Sequence, residues 1–259
     1  LQLHSLEFGT SGPPVVILHG LFGAAKNWTT IAKRLGDEYR VIALDLPNHG
    51  QSPWCASMHL NDMAEAVARF MASHGLDGAP VIGHSLGGKV AMALALCHQE
   101  NVGRLLVSDI APVTYPRTLS HYVEAMQTLD LSGKKRRNAL SEDLKKAVQE
   151  PGIRAFLLSN LKTAGEGFAW QVNLDAIAAG MADIMGFPAS LDERVYNGPT
   201  LFVRGQQSDY IRPFHHGHIK RLFPKSKIIT VKKAGHWIHA DQPDAFYEIV
   251  KSFLNWRDT

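Results

Sequence analysis

The sequence predicts an α/β fold: a mostly parallel open sheet with helices on both faces and a small helical cap. Short runs rich in Val, Ile and Leu, bounded by turn residues, recur along the chain, and segments with helical period stand between them. Buried parallel strands read as continuous apolar runs because both of their faces are covered. Alternating such runs with helices produces a parallel sheet that binds ligands outside the carboxyl ends of its strands. The alternation fails once, over residues 110–199, and then resumes.

Taken in order, the strands are expected at 15–18, 41–44, 80–82 and 105–107, and again at 200–203 and 228–231. Met63, Val67, Phe70 and Met71 have the spacing of one apolar helix face. Phe246, Ile249, Val250, Phe253 and Leu254 repeat that spacing near the end of the chain. The irregular stretch carries helical patterns near 118–129, 141–149, 153–161 and 174–185, interrupted by glycines and by Pro151 and Pro188. It has no convincing strand and is too long for a simple crossover. The expected organisation is a core of residues 1–109 and 200–259 with a helical cap inserted at 110–199.

A chain of 259 residues holds one such domain and buries a substantial core. Its 27 basic and 24 acidic residues give a net charge of +3, too balanced to point to nucleic acid. The short basic run Lys134, Lys135, Arg136 and Arg137 reads as a solvated face, with attraction of an anionic substrate as the alternative. Cys55 and Cys97 lie far apart, with no second cysteine at metal or redox spacing, and read as free thiols. No apolar run reaches membrane-span length, and residues 1–12 lack the charged-then-apolar order of a signal peptide. A cytoplasmic location is therefore the expectation.

The most specific feature is Gly83-His84-Ser85-Leu86-Gly87, set between the strand at 80–82 and a helix-like segment beginning at Gly88. This is the context of a nucleophile elbow, in which a sharp strand-to-helix turn lifts a serine above the sheet. Flanking glycines keep Cβ atoms out of the turn. A serine hydroxyl needs a base, and His236 has the position for it, following the last expected strand and preceding the last helix. His239, three residues on, is the rival and fits a packing role better. His215, His216 and His218 lack an acidic or thiol ligand pattern and read as a solvated helix start rather than a metal site.

His19-Gly20-Leu21-Phe22-Gly23, directly after the strand at 15–18, can supply a backbone N–H to a developing oxyanion. The expected hole is the N–H groups of Leu21 and Leu86. The stretch from Asp45 to Ser52 reads as structural, with His49 bonding the pocket wall. The acid that would orient His236 has two candidates at strand ends, Asp109 and Asp209, and both satisfy the chain order Ser, acid, His.

With these segments, Ser108-Asp109-Ile110-Ala111-Pro112 and the Gly-His-Trp-x-His-Ala-x-x-Pro pattern at 235–243, the chain resembles the α/β-hydrolase superfamily over nearly its whole length. Within it, the chain is most similar to small bacterial esterases of the YbfF type. The resemblance implies the α/β-hydrolase fold, carboxylesterase activity with acyl-CoA thioesterase potential, no cofactor and a small helical cap. The substrate implied is a small-molecule acyl ester or thioester. It also implies Asp109 as the acid: the usual superfamily position, three residues after Gly205, holds Ser208, and Asp209 is one step off register. Dehalogenases and epoxide hydrolases look similar but use an Asp nucleophile where this chain has Ser85. Carbon–carbon bond hydrolases and perhydrolases keep the serine and stand as alternatives. A non-catalytic ligand receptor is the alternative of another class.

Overall fold

A computed structural model describes residues 2–116, 118–133 and 136–256. Two strands open the chain, β1 (Ser5–Phe8) and β2 (Pro14–Leu18), and α1 (Thr29–Leu35) leads to β3 (Arg40–Leu44). Then come α2 (Leu60–Ser73), β4 (Ala79–His84), α3 (Leu86–Cys97) and β5 (Val102–Ser108). The intervening segment carries α4 (Ser120–Gln127), α5 (Arg137–Leu144) and α6 (Pro151–Leu158), the strands β6 (Leu161–Ala164) and β7 (Gly167–Trp170), and α7 (Leu174–Ala179) and α8 (Met181–Met185). The sheet resumes with β8 (Thr200–Gly205), α9 (His216–Leu222) and β9 (Ser226–Val231), and the chain closes with α10 (Ile238–Asp241) and α11 (Pro243–Leu254).

Seven strands form one sheet in the order β1-β3-β2-β4-β5-β8-β9, parallel except for β1. All six strands expected from the sequence are present. Side chains alternate between the faces of the sheet. Val16, Leu18, Val81, Leu105, Val107 and Phe202 pack into one core with α2 and α3, while Val15, Ile17, Ile82, Leu106, Leu201 and Val203 pack into another with α1 and α11. Strands read as unbroken apolar runs because each residue finds a core on whichever side it points.

Register brings the carboxyl ends together. Leu18 pairs with Gly83, His84 with Ser108, Ser108 with Val203 and Gly205 with Val231. The segments leaving β2, β4, β5, β8 and β9 therefore emerge at one edge, and these are the segments holding residues 19–23, Ser85, Asp109, Ser208 and His236.

The segment between β5 and β8 departs from expectation in detail. It contains an antiparallel hairpin, Leu161 facing Trp170 and Ala164 facing Gly167, where no strand was expected. Pro151 is not an interruption but the first residue of α6, where its missing N–H costs nothing. The helix expected at 174–185 is split at Gly180, where a Cβ would lie 2.4 Å from Met58 Cβ. Of the basic run, Lys134 and Lys135 lie outside the described residues. Arg137 does more than face solvent: its guanidinium donates to the carbonyls of Leu158 (2.8 Å) and Leu161 (2.7 Å). Cys55 and Cys97 are free and half-buried. Among the described residues no helix is long and apolar enough to cross a membrane.

Candidate active site

Ser85 sits between β4 and α3 with φ 52° and ψ −119°, a conformation L-residues rarely adopt. The turn holds because its surroundings leave no room for another arrangement. A Cβ on Gly83 would lie 2.3 Å from the Gly87 carbonyl oxygen, and one on Gly87 would lie 2.4 Å from that of His19. Ser85 N–H donates to the Ser108 carbonyl (3.1 Å), carrying the sheet's pairing one residue into the turn.

Asp109 leaves β5 at the equivalent point, also with positive φ (52°). Its N–H donates to Val203 (2.8 Å), and its side chain, fully buried, turns toward the strand ends. There Oδ1 accepts the Gly205 N–H (2.9 Å), and Oδ2 accepts the Ser208 hydroxyl and His236 Nδ1 (2.8 Å). Because a carboxylate only accepts, Nδ1 is the protonated nitrogen in the neutral form of His236, and in that form Nε2 keeps its lone pair. Asp209 is elsewhere: its side chain is 76% exposed and pairs with Arg212 (2.8 Å). Of the two aspartates, only Asp109 is bonded to His236.

Ser208 thus contributes a hydrogen bond to Asp109 from the position where the superfamily usually places its acid, a role that sequence reading missed. Two further partners of His236 were missed. Tyr210 stacks on its ring (centroids 4.1 Å apart), and His84, buried beside Ser85, donates Nε2–H to the His236 carbonyl (2.9 Å). Burial holds the His84 imidazole well below its usual pKa, with repulsion from His236 and His239 adding to the effect. His239 does not reach Asp109. It stacks on Trp28 (4.4 Å), and burial pushes its pKa down to about 4.

The turn after β2 is pinned from behind. Phe22 N–H donates to His49 Nε2 (3.3 Å), while His49 Nδ1–H donates to the Pro47 carbonyl (2.9 Å). Burial above all, then His19, pushes His49 down to about 3, so its ring stays neutral and Nε2 stays an acceptor. Gly23 N–H is taken by the Gly20 carbonyl (2.9 Å). The Leu21 N–H has no such internal acceptor among the described residues, and Leu86, first residue of α3, has an N–H without an intrahelical partner. Asp45 is structural, accepting from Ala25 N–H (2.6 Å), Gln51 N–H (2.9 Å) and His4 Nδ1 (2.7 Å).

Ser85 and His236 line one cavity of about 180 Å³ with Leu21, Trp28, Tyr210 and Trp237, roofed by Leu119 and Tyr122 of the α4 region and Ile153 and Phe156 of α6. The three histidines after β8 lie away from it. His215 Nδ1 accepts the Arg212 N–H (3.2 Å), and Arg221 bonds His218 (2.8 Å). Among the described residues no group of three His, Cys, Asp or Glu side chains could hold a metal.

A model of the alpha/beta hydrolase fold family matches residues 13–243. The chain is 39% identical over 262 residues to the sn-1-specific diacylglycerol lipase ABHD11 of Mus musculus, covering 98% of this chain and 85% of that protein. It is 30% identical over 245 residues to the esterase YbfF of Escherichia coli, covering 93% of each. Among solved structures, a marine microorganism esterase superposes with a TM-score of 0.94 at 36% identity, covering 98% of this chain and 99% of that one. The chain therefore belongs to the α/β-hydrolase fold family, close to esterases of the YbfF type.

Proposed function

We propose that the chain is a serine carboxylesterase that works through a covalent acyl-enzyme on Ser85, with His236 as base, Asp109 as acid and residues 110–199 as the cap. Ser85 Oγ attacks the ester carbonyl carbon while His236 Nε2 takes its proton. The oxyanion that forms is met by the N–H groups of Leu21 and Leu86, two backbone donors with no internal acceptor among the described residues. Collapse expels the leaving group, to which His236 returns the proton, and water repeats the sequence on the acyl-enzyme to release the acid. No step requires a metal or cofactor. The same chemistry extends to thioesters, whose leaving sulfur needs less help from the proton.

One observation carries this reading: the 2.8 Å bond between His236 Nδ1 and the buried Asp109 carboxylate, on a cavity that Ser85 also lines. That bond fixes the tautomer a base requires. The test is labelling with a fluorophosphonate followed by peptide mass mapping. The expected result is one adduct, on Ser85, with loss of p-nitrophenyl ester hydrolysis in step with labelling. Hydrolysis that persists in fully labelled protein would overturn the proposal.

A further inference from the structure

The chamber over Ser85 adjoins a second, larger cavity of about 640 Å³, and Asn27, Ile153, Phe156, Trp237 and His239 line both. The chemistry proposed above assigns their contents. His236 must hand a proton to the departing atom, so the leaving group lies on the His236 side of the reaction centre. The wall of the outer cavity on that side is the segment directly after His236: Trp237, His239, Ala240, Asp241 and Pro243. The acyl part is left with the small apolar chamber under Leu119 and Tyr122.

The outer cavity has a definite charge. Its lining includes two carboxylates, Glu150 and Asp241, both exposed, and no Lys or Arg among the described residues. Asp241 also accepts the Gly235 N–H (2.8 Å), whereas the Glu150 side chain makes no hydrogen bond or ion pair among the described residues, and its charge adds to burial in raising the pKa of nearby Tyr122. Of the cations beside the lining residues, Arg34 pairs with Asp244 (2.7 Å), whereas Lys26, next to Asn27, donates to the neutral Ser159 carbonyl (2.5 Å) and so offsets one of the two carboxylates in part. The positive end of α6 also faces this side, but it amounts to about half a charge and Glu150 stands at its N-cap. His239 is held neutral, and its buried Nδ1 has no partner among the described residues.

We infer that the outer cavity is the leaving-group subsite and that its acidic rim, Glu150 foremost, selects neutral or cationic alcohols and thiols over polyanionic ones such as coenzyme A. The inference rests on the serine-esterase reading and narrows it: thioester chemistry is open to the site, but a nucleotide-bearing thiol meets repulsion on the way in.

The experiment compares kcat/KM within two pairs that share a butyryl group and a leaving atom. One pair is S-butyryl-N-acetylcysteamine, neutral, against butyryl-coenzyme A. The other is butyrylcholine against its neutral isostere 3,3-dimethylbutyl butyrate. The wild type should favour the neutral thioester by about tenfold or more at low salt, with the gap closing as ionic strength rises. Choline should be accepted at least as well as its isostere. Glu150→Lys should narrow the thioester gap by about tenfold and reverse the choline preference, and Glu150→Gln should move both part of the way. Glu100→Lys, an equal charge change just before β5, at the amino ends of the strands and so opposite the site, should move neither. Turnover of all four substrates with a thioester ratio near one, or a ratio that Glu150→Lys leaves in place, would overturn the leaving-group assignment alone. No turnover of any of them, with no fluorophosphonate adduct, would overturn the esterase reading and the inference with it.

Discussion

Two aspartates at strand ends differ in what their backbones allow. Asp109 adopts positive φ and turns its carboxylate under the strand ends, where Gly205 N–H, Ser208 and His236 all meet it. Asp209 lies four residues past Gly205, on the outside of the loop, and its charge is spent on Arg212. Asp109→Asn should therefore lower kcat by up to about 10⁴-fold, since an amide no longer stabilises the imidazolium and can favour the wrong tautomer. Asp209→Asn should stay within about twofold of wild type, an exposed ion pair being worth little. Steady-state kinetics on one ester decides between them, and the reverse order of damage would refute the assignment. Ser85→Ala should abolish turnover and leave the far-UV spectrum unchanged, because the substitution removes a hydroxyl and no packing atom; retained turnover would exclude the acyl-enzyme.

The elements that hold the site differ from those that make the sheet. The segment between β5 and β8 is tied to the core by polar contacts: Asn160 Nδ2 donates to the Phe22 carbonyl (2.7 Å), Asn173 N–H to that of Asn48 (2.9 Å), and buried Lys89 to those of Ile184 (3.0 Å), Met185 (2.9 Å) and Gly186 (2.7 Å). Lys89→Met keeps the length of the side chain but removes three hydrogen bonds, and among the described residues only the Met185 carbonyl of the three keeps another donor, Tyr115 N–H (2.9 Å). The substitution should cost about 3 kcal/mol and lower Tm by roughly 5–10 °C; a Tm within a degree of wild type would show that α8 is held by other means. This division also explains what the sequence made legible. Central strands have covered faces and announce themselves as apolar runs, which placed Ser85, His236 and the turn at 19–23 on one edge. The strand β1 is a half-buried edge strand of four residues with Glu7 facing out, and the hairpin β6–β7 has strands of only four residues that are exposed or half-buried apart from Leu161, so neither carries that signal. The acid was ambiguous from residues alone because two strands end in Asp-containing segments; only the resemblance to YbfF-type esterases favoured Asp109. The hydrogen bond from Ser208 and the ring of Tyr210 depend on how a loop folds back, which no local pattern reports.

At the scale of the molecule, the same edge concentrates buried imidazoles that the protein keeps neutral. His19, His49 and His84 are each almost wholly buried, and burial lowers the pKa of all three, His49 to about 3. Their unfolded values lie near 6.5. Between about 3 and 6.5 the unfolded chain therefore binds a proton at position 49 that the native state refuses, so stability rises with pH across this window and is lost as pH falls through it. From pH 6.5 to pH 5 the loss is about 2 kcal/mol for His49 alone, with His19 and His84 adding in the same direction. Most carboxylates titrate below this range, so the slope between pH 7 and 5 reports the histidines. Urea unfolding at a series of pH values should show a steep fall over that interval. His49→Asn should be less stable at pH 7, having lost the support of Phe22 N–H, yet should show a slope shallower by about one proton. A variant slope equal to that of wild type would mean that His49 already titrates in the folded protein, and that the turn bearing Leu21 is not held by a neutral ring.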